Sequence, residues 1–166
     1  MTDAAEVFDR ARLLAARGSL REALAALDDL LARDPDNLRA LLLKASLLLE
    51  SRDEEDALLL YERAAQSSPG SAEALNGRAR CLHALGRDGE ALDAAEAARE
   101  ILDQDDNFRQ AAPVYLTIVW CLREMRRYKE ALAAAEEGLA RCPDAILAQW
   151  ASLVEEELAE AEKEEC

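Results

Sequence analysis

The sequence predicts an all-α chain of stacked helix pairs, and three observations carry that reading. Its apolar residues are nearly all Ala and Leu, with aromatics at only 4%. An Ala-Leu dipeptide returns at regular intervals along the chain. Proline stands at a fixed offset behind three of its four copies.

Ala and Leu favour helix because Ala has no side-chain rotamers to lose and Leu loses few. β-Branched residues are scarce, so strands have little to build from. Gly and Pro are few and spaced apart, as breaks between helices are. A chain of 166 residues is long enough to bury one real core.

The repeat is read directly from the residues. Gly18-Ser19-Leu20-Arg21-Glu22-Ala23-Leu24 aligns with Gly86-Arg87-Asp88-Gly89-Glu90-Ala91-Leu92 and with Arg126-Arg127-Tyr128-Lys129-Glu130-Ala131-Leu132. Arg52-Asp53-Glu54-Glu55-Asp56-Ala57-Leu58 is a looser copy. The alanines at 23, 57, 91 and 131 are separated by 34, 34 and 40 residues. Twelve residues behind three of them come Pro35, Pro69 and Pro143; Asp103 takes that place in the third unit. Proline cannot donate a helical hydrogen bond and clashes with the preceding turn, so it ends one helix before the next begins. The following helices open at Leu38, Ala72 and Ala112. At the N-terminus Asp3 is a candidate helix cap, with Glu6 completing a capping box. A last helix runs from about Ala145 to Glu162, with Ile146, Leu147, Trp150, Leu153, Val154 and Leu158 at helical spacing.

This pattern resembles the tetratricopeptide repeat family, whose 34-residue helix–turn–helix units stack into a right-handed solenoid. The family's small slot in the first helix of each unit is matched by Ala11, Ala45, Ala79 and Val119. Its large slot reads Val7, Leu41, Leu75 and Tyr115, and its later Tyr slot reads Leu14, Leu48, Leu82 and Leu122. In the second helix Leu27, Tyr61, Ala95 and Ala135 stand where a bulky ring is usual, and Leu30, Ala64, Ala98 and Gly138 fill a small slot. The small Ala95 and Ala135 imply thinner packing late in the chain. The resemblance spans about residues 4–145, as repeats 4–37, 38–71, 72–111 and 112–145. Residues 146–166 then form a capping helix with an acidic end expected to fray. That end holds seven Glu in its last 16 residues.

The six extra residues fall within 103–111 and leave two readings open. Asp105 or Asp106 caps a longer first helix in which Pro113 makes a kink, or the segment is a loop and Pro113 lies in the first turn. In either case Phe108 is expected to pack on the solenoid. A flexible lid over the groove is a further reading of this segment.

The resemblance also implies a function. First helices of this family line a concave surface that binds extended or helical protein segments. The corresponding positions here are Ala5, Phe8, Arg12 and Ala15; Arg39, Leu42, Ser46 and Leu49; Glu73, Asn76, Arg80 and His83; Pro113, Leu116, Trp120 and Arg123. Four are Arg and one is acidic, in a chain with 35 acidic residues and a net charge of −15. The carboxylates gather on second helices, at Asp28, Asp29, Glu62, Glu96, Glu136 and Glu137. The expected partner is therefore a protein or peptide, such as an acidic or C-terminal segment, held by Arg donors and aromatic anchors. The Lys/Asn set by which some members clamp a terminal carboxylate is absent, its slots holding Phe8, Arg12, Leu43, Glu73 and Gly77. A different reading is self-association into a homodimer, through helix 38–50 or the terminal helix around Trp150.

Catalytic and cofactor chemistry find no support in the spacing. His83 is the sole histidine, and Cys81, two residues away on one helix, faces elsewhere. Cys81 and Cys121 occupy equivalent places and read as small buried fillers, with Cys142 and Cys166 more exposed. No Cys/His metal spacing, phosphate loop or Ser/His/Asp set is present, so no enzyme activity, cofactor or metal is expected. The negative charge disfavours nucleic acid. The apolar runs around Lys44 are too short for a membrane span. The N-terminus lacks the basic and apolar regions of a signal peptide. A cytoplasmic protein with reduced thiols is the expectation.

Overall fold

The computed structural model describes residues 3–105 and 111–164. Among these it has no strand and nine helices: α1 (Ala4–Ala16), α2 (Leu20–Arg33), α3 (Leu38–Glu50), α4 (Glu54–Ser67), α5 (Ala72–Ala84), α6 (Asp88–Asp105), α7 (Ala111–Glu124), α8 (Tyr128–Arg141) and α9 (Ala145–Glu164). Each helix packs on the next, and odd-numbered helices also touch one another across the stack. The result is an all-α solenoid of helix pairs closed by α9.

The turns within pairs repeat one design. Gly18, Arg52, Gly86 and Arg126 all have positive φ, at 78°, 68°, 73° and 58°. In each case the next amide donates back to the carbonyl of Leu14, Leu48, Leu82 or Leu122 at 2.8–2.9 Å. This is the left-handed helix end that satisfies carbonyls the last turn leaves orphaned. The recurring motif thus encodes a turn, and its Ala-Leu begins the buried face of the following helix.

The turns between pairs are set by proline. α2, α4 and α8 each stop two residues before Pro35, Pro69 and Pro143. The intervening Asp34, Ser68 and Cys142 have left helical geometry, with φ/ψ of −132/84°, −139/82° and −140/100°. A residue before proline is driven out of the α region by the ring's Cδ. Where Asp103 replaces proline no such stop exists, and α6 runs on to Asp105. The extra length therefore extends the second helix of the third pair, which neither reading of 103–111 anticipated. Pro113 lies in the first turn of α7, where its missing amide proton costs nothing. Asp105 is the last residue of α6 and so does not cap a longer first helix; Asp106 and Phe108, and with them the Asp106 cap and the lid reading, lie outside the described residues.

Asn37 and Ser71 cap α3 and α5 by accepting from the amides of Ala40 and Ala74. Asp144 caps α9 by accepting from Ile146 and Leu147, both at 2.9 Å. Asp3 makes no side-chain capping bond, so the expected capping box at α1 is not formed.

The family's small slot is fully buried in every pair: Ala11, Ala45, Ala79 and Val119 are 0% exposed. So are Leu27, Leu41 and Leu82, each of which gains about 1.5–3 kcal/mol by leaving water. The packing does not thin toward the C-terminus. Ala95 and Ala135 are 0% exposed and share one apolar cluster with the large Tyr115, Ile118, Leu147 and Val154. Gly138 has no room for a Cβ, which would meet Tyr115 and Leu147 at 2.7 Å. The apolar stripe of α9 is narrower than its spacing suggests. Leu147 and Val154 are buried and Trp150 half-buried, whereas Ile146 and Leu153 are 54% and 37% exposed.

Candidate functional site

The inner-face positions separate into an open half and a half partly covered by α9. The open half is built by α1, α3, α5 and the start of α7. Phe8 is buried, and the Arg39 guanidinium lies over its ring at 4.1 Å from the centroid. Stacking on an aromatic face leaves the edge donors of Arg39 free to point outward. These two residues line a cavity of about 330 Å³ with Arg12, Leu42, Leu43, Ser46 and Glu73. Ser46 turns its hydroxyl back to the Leu43 carbonyl at 2.9 Å, a bond within its own helix.

A second cavity of about 310 Å³ adjoins the first, sharing Ser46 and Glu73. Tyr61, Asn76, Gly77, Arg80, Pro113 and Val114 are among its walls. Gly77 is required here because a Cβ would overlap the Tyr61 ring. Asn76 is 8% exposed, and its Oδ1 is buried without a hydrogen-bond partner among the described residues. An orphaned buried acceptor costs free energy that a donor from outside would recover. Burial pushes the Tyr61 phenol above its ordinary range, so it stays a neutral hydroxyl. Arg12 and Arg80 are exposed, and Arg12 reaches Asp9 only at 4.0 Å. Among the described residues neither Arg39 nor Arg80 is in an ion pair.

The half that α9 partly covers holds His83, Leu116, Trp120 and Arg123, all half-buried. Leu116 is half-buried against the main core. Trp120 is covered by Trp150 of α9, their centroids 5.9 Å apart and the rings edge to face. Arg123 is gripped by Glu157 of α9 through three contacts of 2.5–3.0 Å and also reaches Glu124. The hydrogen bond to Glu157 holds the guanidinium pKa further up. Arg123 thus serves the fold, and the terminal helix occupies the last quarter of the inner face. The sequence put these four residues in one groove but held no sign that α9 supplies the partners of Trp120 and Arg123.

His83 faces neither of those two cavities; with Trp120, Arg123, Glu124 and Trp150 it lines a third, of about 290 Å³. Its Nδ1 meets Asp88 Oδ1 at 2.6 Å, and its ring stacks on Trp120 at 6.1 Å. Cys121, from the next pair, approaches this couple, and it and Cys81 both belong to the core cluster. Burial pushes the Cys81 thiol up to about 11, and burial with the Asp88 charge pushes Cys121 up to about 12. Both are therefore poor nucleophiles at neutral pH.

The outer face carries the carboxylates, several of them in cross-helix pairs. Glu137 of α8 accepts from Tyr115 at 2.8 Å and from Arg99 of α6 at 3.2 Å, and Arg141 joins the same cluster with Asp103. Lys44 binds Asp28, and Arg63 binds Asp36 at 3.3 Å. The acidic composition therefore ties second helices together while Arg12, Arg39 and Arg80 mark the inner side.

None of the helices among the described residues is long and apolar enough to cross a membrane. No curated protein matches the sequence. Several solved structures share the fold. MamA aligns with a TM-score of 0.76 and 21% identity, over 92% of this chain and 81% of its own. TTC0263, a thermophilic TPR protein of Thermus thermophilus, aligns with a TM-score of 0.73 and 22% identity, over 91% and 81%. YrrB, a TPR protein with an unusual peptide-binding site, aligns with a TM-score of 0.70 and 20% identity, over 92% and 76%. Two tetratricopeptide repeat models match residues 8–72 and 48–112. With the repeat ladder, the turn geometry and both models in agreement, the chain belongs to the tetratricopeptide repeat family, generally a non-catalytic protein-interaction module.

Proposed function

We propose that the protein is a non-enzymatic scaffold that holds an acidic peptide segment along the open half of its inner face. The observation that carries this reading is the pair of adjoining cavities, running from Phe8 and Arg12 through Ser46 to Asn76 and Arg80. They offer the elements a peptide needs. Arg12, Arg39 and Arg80 provide donors for side-chain carboxylates. Asn76 Oδ1 can accept from a peptide amide, and Leu42 with the Tyr61 face provides apolar contact. The likeness in fold to YrrB, a TPR protein with an unusual peptide-binding site, is consistent with it.

A library of immobilised acidic peptides, probed with the intact chain, tests the reading. Exchanging Arg12, Arg39 and Arg80 together for Glu should weaken capture at least about tenfold, since each charge-assisted bond is worth about 1.5–3 kcal/mol. Arg123→Glu should disturb α9 without that selective loss. Retained capture by the triple variant would sink the acidic-groove reading.

A second reading is self-association through α9, favoured by the exposed Ile146 and Leu153 on its outer side. Trp150 itself packs inward on Trp120 and would not carry it. Sedimentation at several concentrations separates the two, because a dimer abolished by Ile146→Glu and Leu153→Glu leaves the groove untouched.

A further inference from the structure

Three side chains of different chemistry converge where α5 turns into α6 beneath α7. His83 stands in the last turn of α5, Asp88 opens α6 and Cys121 begins the last turn of α7. One imidazole nitrogen, one carboxylate oxygen and Cys121 Sγ all lie within 4.8 Å of one another. The sulfur forms a fully buried floor, while the His83 and Asp88 side chains remain 26% and 22% exposed. Trp120 stacks on the imidazole with ring centroids 6.1 Å apart.

An imidazole nitrogen, a carboxylate oxygen and a thiolate sulfur are donors that zinc accepts together, at about 2.0–2.3 Å each. Tetrahedral geometry at those bond lengths separates the donors by roughly 3.3–3.7 Å. The His83–Asp88 contact would open slightly from 2.6 Å, and the sulfur would close in. Thiolate and carboxylate bring two negative charges, which one divalent cation cancels within a mostly buried site. The carboxylate also offsets the positive end of α6, which would otherwise repel a cation. The sulfur donor discriminates against magnesium and calcium.

We infer that His83, Asp88 and Cys121 form a three-ligand site for a thiophilic divalent cation, zinc foremost, with water completing the tetrahedron. On binding, the Cys121 S–H bond breaks and its proton passes to solvent. A sulfur–metal bond forms, and the proton of the His83–Asp88 hydrogen bond leaves Nδ1 as the imidazole takes its Nε2–H tautomer, so that each residue gives one metal bond. The ion ties the third helix pair to the fourth, beside the place where α9 closes the inner face.

Cobalt(II) is the probe, because its thiolate complexes absorb in the near ultraviolet and its tetrahedral sites absorb strongly in the visible. The intact chain carrying Cys142→Ala and Cys166→Ala retains two thiols, at positions 81 and 121. After chelator treatment it should bind one cobalt ion, show both bands, and lose them when zinc is added. Cys81→Ala should leave the spectrum unchanged. Cys121→Ala should abolish the charge-transfer band, and His83→Gln and Asp88→Asn should each weaken binding at least about tenfold. Circular dichroism checks that each variant is folded. If Cys121→Ala does not fold, the two partly exposed variants decide. Absence of the charge-transfer band in the parent, its survival in folded Cys121→Ala, or unchanged affinity in both His83→Gln and Asp88→Asn would overturn the site.

Discussion

Arg52 and Arg126 occupy the left-handed turn position that Gly18 and Gly86 fill without steric cost. A side chain there costs about 1–2 kcal/mol, part of which the greater freedom of glycine in the unfolded chain offsets. Arg126→Gly should therefore stabilise the fold by about 0.5–1 kcal/mol, seen as a higher urea midpoint at unchanged slope. Gly77 is the opposite case. Gly77→Ala drives a methyl group into the Tyr61 ring and should cost about 1–3 kcal/mol in the same measurement. The Cys81 thiol gives a pH signature. Its folded value is raised from 9.0 to about 11, so the neutral thiol is favoured by folding. That contribution is complete below about pH 9 and is lost as the pH rises from 9 toward 11, where the unfolded chain ionises first. Cys81→Ala should flatten that part of the stability curve. Turn glycines were legible as residues; the arginines in the same role were legible only through their place in the repeat.

Single helices show where residue patterns stop being informative. The prolines at 35, 69 and 143 mark their helix ends to the residue, because the constraint is local and steric. The absence of proline at Asp103 has an equally local effect, a longer α6, yet the sequence left open which helix would take the extra residues. α9 was readable as a helix but its bonds were not. Glu157 looks like one member of an acidic run, and only the packing of α9 on α7 reveals its grip on Arg123. Glu157→Gln should loosen the Trp120–Trp150 contact, measured as a change in tryptophan fluorescence with a stability loss of about 1 kcal/mol or less, as befits a partly exposed pair. The inner-face positions are a similar mixture. Arg12, Arg39 and Arg80 reach open cavities as a repeat alignment implies, whereas His83, Trp120 and Arg123 are engaged by residues on other helices. The His83–Asp88–Cys121 cluster had no sequence signal, because its donors meet through stacking of successive pairs and not through ligand spacing.

At the scale of the molecule the apolar core is not one body. The largest cluster extends from α3 to α9, while Phe8, Ala11, Ala23, Leu27, Leu30 and their neighbours form a separate cluster in α1, α2 and α3. Leu24 packs against both. In a repeat array, stability is a sum of unit and nearest-neighbour terms, and a thin junction uncouples its end. Amide hydrogen exchange should find α1 and α2 opening before α5 to α7, with lower opening free energy. Uniform protection along all helices would refute that division. The consequence reaches the open cavities, because Phe8 and Arg12 ride on the loosely joined pair while Asn76 and Arg80 ride on the firm one. A segment spanning both would act as a splint across a joint. Its grip would be reduced by whatever fraction of molecules has the first pair undocked, and in return its presence would slow exchange in α1 and α2, far from most of its own contacts.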